Sequence, residues 1–343
     1  MSDIITANYL TSSFLTEAVK QYVLNESALI GKTLLPIKET NASTVKIKVT
    51  KNSTKPIKDV ASGASSPLGQ IGGDTLLTYK PIEFREKKIV SGSDYLKMVQ
   101  YIEQFKNVQP SDATFFGLQE KGAELARQLV EECALGVMTA IEKAIFGSLS
   151  GSLVTSKNGT ISYGFAGGRT PSAGTVWSTS ATAVPLDNLR TWVDLFRGSG
   201  YKASLILMNK ATYNEMVATT QVKNAINGTD VGISIQVNGR KIMEVEETPL
   251  MIYDEGYIND SGVWTPYIPN DKVLIVGRPA IGGSAIGEFA MTPSEYNDLR
   301  PGMFINVYDN KDGDPKNMRI ISGFNGLPVH YFEDGDAVVY AGV

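Results

Sequence analysis

Residues 111–149 read "SDATFFGLQEKGAELARQLVEECALGVMTAIEKAIFGSL". Leu118, Leu125, Leu129, Cys133, Val137, Ile141 and Ile145 recur about every four residues, the apolar stripe of one long amphipathic helix. Ser111 supplies an N-cap and Gly147 a C-terminal stop. Unbroken, such a helix is about 55 Å long at 1.5 Å per residue. Helices of globular proteins usually run only about three to four turns, so a rod of this length predicts a structural spine. Cys133 lies within the stripe and reads as core, not as a reactive thiol.

On the N-terminal side the period changes twice. In "TSSFLTEAVKQYVL", residues 11–24, Phe14, Leu15, Ala18, Val19 and Tyr22 share one helical face, which predicts an arm helix followed by an extended "LLPIKET". From Thr44 the pattern is two-residue: Val45, Ile47 and Val49 alternate with Lys46, Lys48 and Thr50, as in a half-exposed strand. A Gly/Ser-rich stretch, "VASGASSPLGQIGGD", reads as a flexible loop, and "TLLTYKPIEFREKKIV" as one returning strand. The expectation is a long two-stranded arm. An isolated hairpin is marginally stable in water, so the arm needs another surface to lie on.

Charge sharpens this point. Residues 45–90 hold nine Lys/Arg and four Asp/Glu, a balance of +5, while the whole chain is −4 and the remainder therefore −9. The imbalance fits a solvated strand edge that resists aggregation, or complementarity to an acidic surface on a neighbouring copy.

Beyond the spine, "LVTSKNGTISYG" predicts a hairpin turning at Asn158-Gly159. A helix is expected from Pro185 to about Gly198, then a buried strand "ASLILMN". Asn209 should cap a helix running through "KATYNEMVATTQVKNAI", and "ISIQVNGRKIMEV" should form a further hairpin. Together these give a second α+β region, with helices flanking a mostly antiparallel sheet.

Composition narrows the function. With 343 residues, 42% hydrophobic and 20% charged, the chain can bury two connected cores. Net acidity argues against a dedicated nucleic-acid binder. One cysteine, Cys133, and one histidine, His330, exclude an intrachain disulfide and leave little for a His/Cys metal or nucleophile site; a cytoplasmic origin fits. The N-terminus has no secretory pattern, and no apolar run reaches the roughly 18 residues of a membrane span.

Several fragments imitate catalytic motifs. "IGKT" at 30–33 ends like a phosphate loop, but Glu26 stands where its first glycine belongs. "NKDGDPKN" at 310–317 resembles a calcium loop, yet Pro315 takes the sixth position and Ile321 the twelfth. "GFAGGR" at 164–169 lacks the strand and helix of a dinucleotide site. In "IYDEGYINDSGVWTPYIPNDKVLIVG", residues 252–277, the acids Asp254, Glu255 and Asp260 cluster at predicted bends, where carboxylates satisfy local backbone and face water. A carboxylate-dependent hydrolase built on them is the competing enzyme reading. No catalytic residue, cofactor or metal is expected.

The order of elements resembles tailed-bacteriophage major capsid proteins of the Hong Kong 97-type fold, and more closely the lambda-type major head protein family, major capsid protein E. "FLTEAVKQYVLNES", "YKPIEFREKKIV", "LILMNKATYNEMVATTQVKNAI", the 252–277 stretch and "GDPKNMRIISGFNGLPVHYF" carry the likeness. The resemblance implies an N-terminal arm (1–43) and an extended loop (44–90) lying across the next subunit. It implies a peripheral domain (91–186 and 285–317) holding the spine, and an axial domain (187–284 and 318–343). Pentamers and hexamers would close an icosahedral shell around double-stranded DNA without reading its sequence, assembled in the host bacterial cytoplasm and located in the virion. Portal, scaffolding and decoration proteins would be partners, and no membrane is involved. The same fold also serves encapsulins, cellular compartments that enclose cargo enzymes.

Two contact sets follow from the resemblance and the charge split. Lys46, Lys48, Lys51, Lys55, Lys58, Arg85, Lys87 and Lys88 of the loop would meet a neighbour, with Glu120, Glu124 and Glu131 of its spine as acidic partners. Gln221, Lys223, Asn224 and Asn227 would approach a symmetry axis. Lys–Asn crosslinking between subunits, found in some capsids of this fold, needs a specific loop lysine and a nearby carboxylate; Lys55 and Lys58 lie in the loop, but the sequence designates no partner for them.

Overall fold

The computed structural model describes residues 12–25, 29–50, 74–91, 113–155, 159–227, 233–235, 242–280, 285–310, 317–333 and 335–343. Helix α1 (Ser12–Asn25) buries Leu15, Val19 and Val23, one step round from part of the predicted face. Thr16 fixes its position. Its hydroxyl accepts from the Ile305 N–H (2.9 Å) and donates to the Ile305 carbonyl (3.3 Å), acting as a one-residue extension of a strand edge. The "IGKT" fragment opens a single helical turn, α2 (Gly31–Leu34), and β1 (Ile37–Glu39) follows.

The arm departs from expectation. Strand β2 (Val45–Thr50) pairs antiparallel with β3 (Asp74–Tyr79), from Val45↔Tyr79 to Thr50↔Asp74. The predicted returning strand is then cut at Lys80-Pro81. Its second half, β4 (Ile82–Ser91), leaves the ribbon and joins a larger sheet. Pro81 has no N–H to continue a ladder, which is the physical reason for the break. The two-stranded ribbon is therefore shorter than the 44–90 loop expected, because residues 82–90 fold on the body.

The spine forms as predicted over α3 (Ala113–Leu149), with Cys133, Val137, Ile141 and Ile145 buried; Ser111 lies outside the described residues. The helix runs through Gly147. The residue that ends it is Gly151, whose φ of +94° takes the left-handed region that glycine enters without strain. The hairpin β5 (Ser152–Thr155) and β6 (Gly159–Ser162) closes at Thr155↔Gly159, so Gly159 belongs to the ladder and not to a two-residue turn.

Helix α4 (Pro185–Asp194) is shorter than predicted, its last turn tightening through residues 195–197. Strand β7 (Tyr201–Met208) leads to Asn209, whose side chain accepts from the Thr212 N–H at 2.8 Å, the expected cap. The helix it caps is not continuous. It splits into α5 (Lys210–Ala218) and α6 (Thr220–Asn227) at Thr219, where ψ is 151°. The Thr219 hydroxyl donates to the Met216 carbonyl and accepts from Val222 N–H, closing one helix and opening the next.

Then come β8 (Ile233–Ile235), β9 (Ile242–Val245), β10 (Thr248–Ile252), β11 (Gly256–Ile258), β12 (Trp264–Pro266), β13 (Lys272–Pro279), β14 (Gly287–Thr292), β15 (Met303–Asn310), β16 (Asn317–His330) and β17 (Val338–Gly342). Two sheets organise them. In the first, β16 takes β15 along residues 317–324 and β14 along 325–330, with β4 on its other edge and β1 parallel to β14. In the second, the order is β17-β13-β7-β10-β9-β8, antiparallel except for β7 beside β10. The chain is mixed α+β, as expected.

Residues 317–330 thus lie in the same sheet as 287–310. A division between 317 and 318 would separate β16 from β14 and β15; the hydrogen bonding instead places the change of sheet between His330 and Val338. One apolar cluster gathers α1, the spine and the first sheet; a second gathers Trp177, Leu189, Trp192, Ile206, Met216 and Ile275 around the second sheet.

Candidate functional site

The arm touches the body at its root. Val45 is buried against Ala290 and Val329, with Ile47 and Tyr79 half-buried beside it. Further along, Leu76 is 63% exposed. Beneath the root lies a cleft of about 570 Å³ lined by Tyr79, Ile161, Tyr163, Leu327 and Phe332. Leu76 is the register partner of Lys48, on the side of the ribbon away from Val45, Ile47 and Tyr79.

The predicted contact residues divide. Lys46 and Lys87 are exposed. Arg85 lies with its guanidinium 4.4 Å from the Tyr296 ring centre and 3.5 Å from Glu83. Lys88 reaches Glu132 at 3.3 Å, an acid of the spine in the same chain that the sequence reading passed over. Arg85 and Lys88 therefore have partners at home, since β4 sits on the body. Lys51, Lys55 and Lys58 lie outside the described residues, as do the side chains of Lys48, Glu120, Glu124 and Asn227; Glu131 is half-buried. On α6, Lys223 and Asn224 are exposed, while the Gln221 side chain accepts from the Leu186 N–H at 3.0 Å and ties α6 to the start of α4.

Two buried ionisable groups were not singled out as structural sites. Glu142 is only 2% exposed on the spine, and both its oxygens accept from the Gly31 N–H (2.9 and 3.0 Å). Tyr253, at the end of β10, donates its hydroxyl to the same carboxylate at 2.5 Å. One side chain so links α2, the spine and the second sheet. Burial pushes its carboxyl above the usual range, against the opposing pull of these hydrogen bonds. The signal was legible: a glutamate four residues after Met138 and four before Phe146 stands inside an apolar stripe.

His330 ends β16, fully enclosed. Its Nε2 lies 3.1 Å from the Ser148 hydroxyl, and its ring stacks on Phe332 with centres 4.5 Å apart. Burial lowers its pKa to about 3, so it is neutral at ordinary pH. Glu142 borders only a space of about 20 Å³, and His330 stands in the wall of the 570 Å³ cleft while only 2% exposed; both hold elements together.

The three clustered acids are exposed. Asp254 accepts from the Lys210 N–H (3.3 Å) at the start of α5, Glu255 precedes β11, and Asp260 occupies the bend between β11 and β12. The strand returning from that bend pairs with Gly256–Ile258 and not with "PLMIY", which belongs to the second sheet. Among the described residues no group of three or more His, Cys, Asp or Glu could hold a metal, and no helix is long and apolar enough to cross a membrane.

A family model described as phage major capsid protein E matches residues 11–334. Two solved structures share the fold across almost all of both chains. One is a phage-related protein from Bordetella bronchiseptica RB50 (12% identity, 96% of each chain, TM-score 0.55). The other is a candidate prophage capsid protein from E. coli CFT073 (13% identity, 96% of this chain and 98% of that one, TM-score 0.57). No curated protein is similar enough in sequence to count as a match.

Proposed function

The chain belongs to the phage major capsid protein E family and is a phage major capsid protein, from which we propose that its copies form pentamers and hexamers of an icosahedral shell enclosing double-stranded DNA. Net acidity suits a container that does not grip its contents, since a basic inner wall would bind phosphates tightly. Head-to-tail contacts close such rings. Portal, scaffolding and decoration proteins belong to the same proposal, as does assembly in the bacterial cytoplasm.

The β2–β3 ribbon carries the reading, because its root is anchored while Leu76 faces water. In this proposal the ribbon and the loop at its end are the extended loop, and a neighbouring copy supplies the missing surface. Lys51, Lys55, Lys58 and Lys87 meet acids of that copy, Glu120, Glu124 and Glu131 among them, while Lys46 and Lys48 belong to the ribbon's own contact with it. The peripheral domain holds the spine and the first sheet, β16 included; the axial domain holds the second sheet, with Lys223 and Asn224 of α6 turned toward a symmetry axis.

Electron microscopy of the purified protein tests the shell: closed particles or five- and six-membered rings support it, and a monodisperse monomer under assembly conditions overturns it. Replacing Lys46, Lys48 and Lys51 together by Glu should abolish particles while leaving the thermal melt unchanged; normal particles from that variant would refute the role of these lysines.

A further inference from the structure

The β11–β12 hairpin belongs to neither large sheet, yet it is firmly built. Its foot is held by Tyr257, whose ring lies 5.7 Å from Tyr267 and 4.7 Å from the Lys143 ammonium on the spine. Its bend is pinned by Asn259: the side-chain oxygen accepts from the Ser261 and Val263 N–H groups, both at 3.0 Å, and the amide donates to the Thr265 hydroxyl at 3.2 Å. Gly256 completes the arrangement. A Cβ there would meet the Thr265 carbonyl at 2.5 Å and the Trp264 indole at 2.9 Å, so the glycine lets the indole lie across the partner strand.

What this rigid frame presents is apolar. Ile258 is 72% exposed, Val263 59% and Trp264 53%, and Ile258 faces Trp264 directly across the ladder. A pinned hairpin holding an isoleucine, a valine and a tryptophan in water has the character of an interface: aromatic, apolar and preorganised. Along the hairpin's own stretch of chain the charge has one sign. Residues 253–268 contain Asp254, Glu255 and Asp260 and no lysine or arginine.

The chain carries a surface of complementary character. On the β2–β3 ribbon, Leu76 is exposed, Lys46 is exposed, and Lys48 is the register partner of Leu76. The stretch 45–80 that the ribbon spans holds six lysines and two aspartates, a balance of +4. We infer that the acid-flanked apolar hairpin of one copy is the seat of the β2–β3 ribbon of another, Leu76 covering Ile258, Val263 and Trp264 while Lys46 and Lys48 approach Asp254, Glu255 and Asp260. This rests on the shell reading and names the place where the ribbon finds its missing surface. Opposite charge sets register and speeds encounter, and apolar burial holds the contact.

The chain supplies its own probe. Of its three tryptophans, Trp177 and Trp192 are 0% and 3% exposed, so Trp264 is the one that acrylamide in solution reaches. Quenching of the full-length protein should be strong in free subunits and fall to the level of the Trp264→Phe variant in assembled particles. In a Cys133→Ser background, Leu76→Cys with Ile258→Cys should give oxidised covalent ladders of subunits from particles and none from free subunits. Particles in which Trp264 stays fully quenchable overturn the contact. Protection of Trp264 without ladders shows that something else covers the hairpin and overturns the ribbon as its occupant. If the wild-type chain forms no particles, the shell reading fails, and this inference with it.

Discussion

The second sheet and the β2–β3 ribbon stand at opposite ends of self-sufficiency. The sheet has six strands and closes on its own cluster, where Trp177 and Trp192 stack with ring centres 6.0 Å apart and Leu189, Ile206 and Ile275 are fully buried. The ribbon has two strands, buries Val45 at its base and leaves Leu76 in water. The sheet is apolar on both faces, with Ile206, Val273 and Ile275 in one cluster and Leu207, Leu274 and Val276 in the other, whereas the ribbon is anchored at its root. The difference is where the partner surface comes from: for the sheet it is elsewhere in the same chain, and for the ribbon, in the reading proposed above, it is another copy. Substitutions in the sheet should register in the stability of a single subunit, and those in the ribbon in assembly.

The largest effect should come from Trp192→Ala, which empties a packed site within the sheet's cluster. A loss of about 3–5 kcal/mol is typical of such truncations, read as a large drop in the thermal midpoint of the free subunit. Next is Glu142→Ala. It leaves the buried Gly31 N–H and Tyr253 hydroxyl without their acceptor, at about 1–3 kcal/mol for each orphaned group. Urea denaturation should show this loss, and Glu142→Gln should restore part of it by returning one acceptor oxygen.

Protonation separates the joined parts of the body in another way. His330 is neutral when folded and would ionise near 6.5 when unfolded, so the unfolded chain takes up the extra proton. Its contribution is intact above pH 6.5 and is lost progressively as pH falls toward about 3. Glu142 acts with the opposite sign. Burial raises its folded pKa, so its contribution is greatest below the ordinary carboxyl value and is lost as pH rises through the raised one. Stability measured from pH 7 to 4 should fall less steeply in His330→Gln than in wild type; an unchanged slope would contradict the buried neutral ring.

Smaller still is Val45→Ala at the ribbon's root, about 1–2 kcal/mol from two lost methyl groups at roughly 0.8 kcal/mol per carbon. Smallest for the subunit is Leu76→Ser, within about 0.5 kcal/mol as for exposed sites in general. That same change should nevertheless abolish particles seen by electron microscopy. A variant that melts normally and assembles normally would remove the contrast between sheet and ribbon.

Most elements were legible because their signals are local. The spine, α1, the Asn209 cap and the alternation in β2 each depend on neighbours within a few residues. What escaped depends on distant partners or on a single side chain. "TLLTYKPIEFREKKIV" looks like one strand until the sheet shows that its halves answer to different partners, although Pro81 marked the cut. The break at Thr219 is written in one hydroxyl that serves two helices. The placement of β16 could not be read from a 14-residue run alone, because its partners lie between 82 and 310. Sequence read the acids of the 252–277 stretch as water-facing residues at bends, and they are exposed there. It missed that Arg85, Lys88 and Gln221 are held within the chain.

The Glu142 carboxylate joins three parts of the chain at one point, and this constrains how the subunit can deform. Gly31 precedes the ribbon, Tyr253 belongs to the second sheet, and the spine lies between them. A shear of one sheet against the other cannot proceed smoothly through that junction, because it would pull two donors from a single anion in a dry environment. A reshaping that slides the two sheets past one another has to break this junction first.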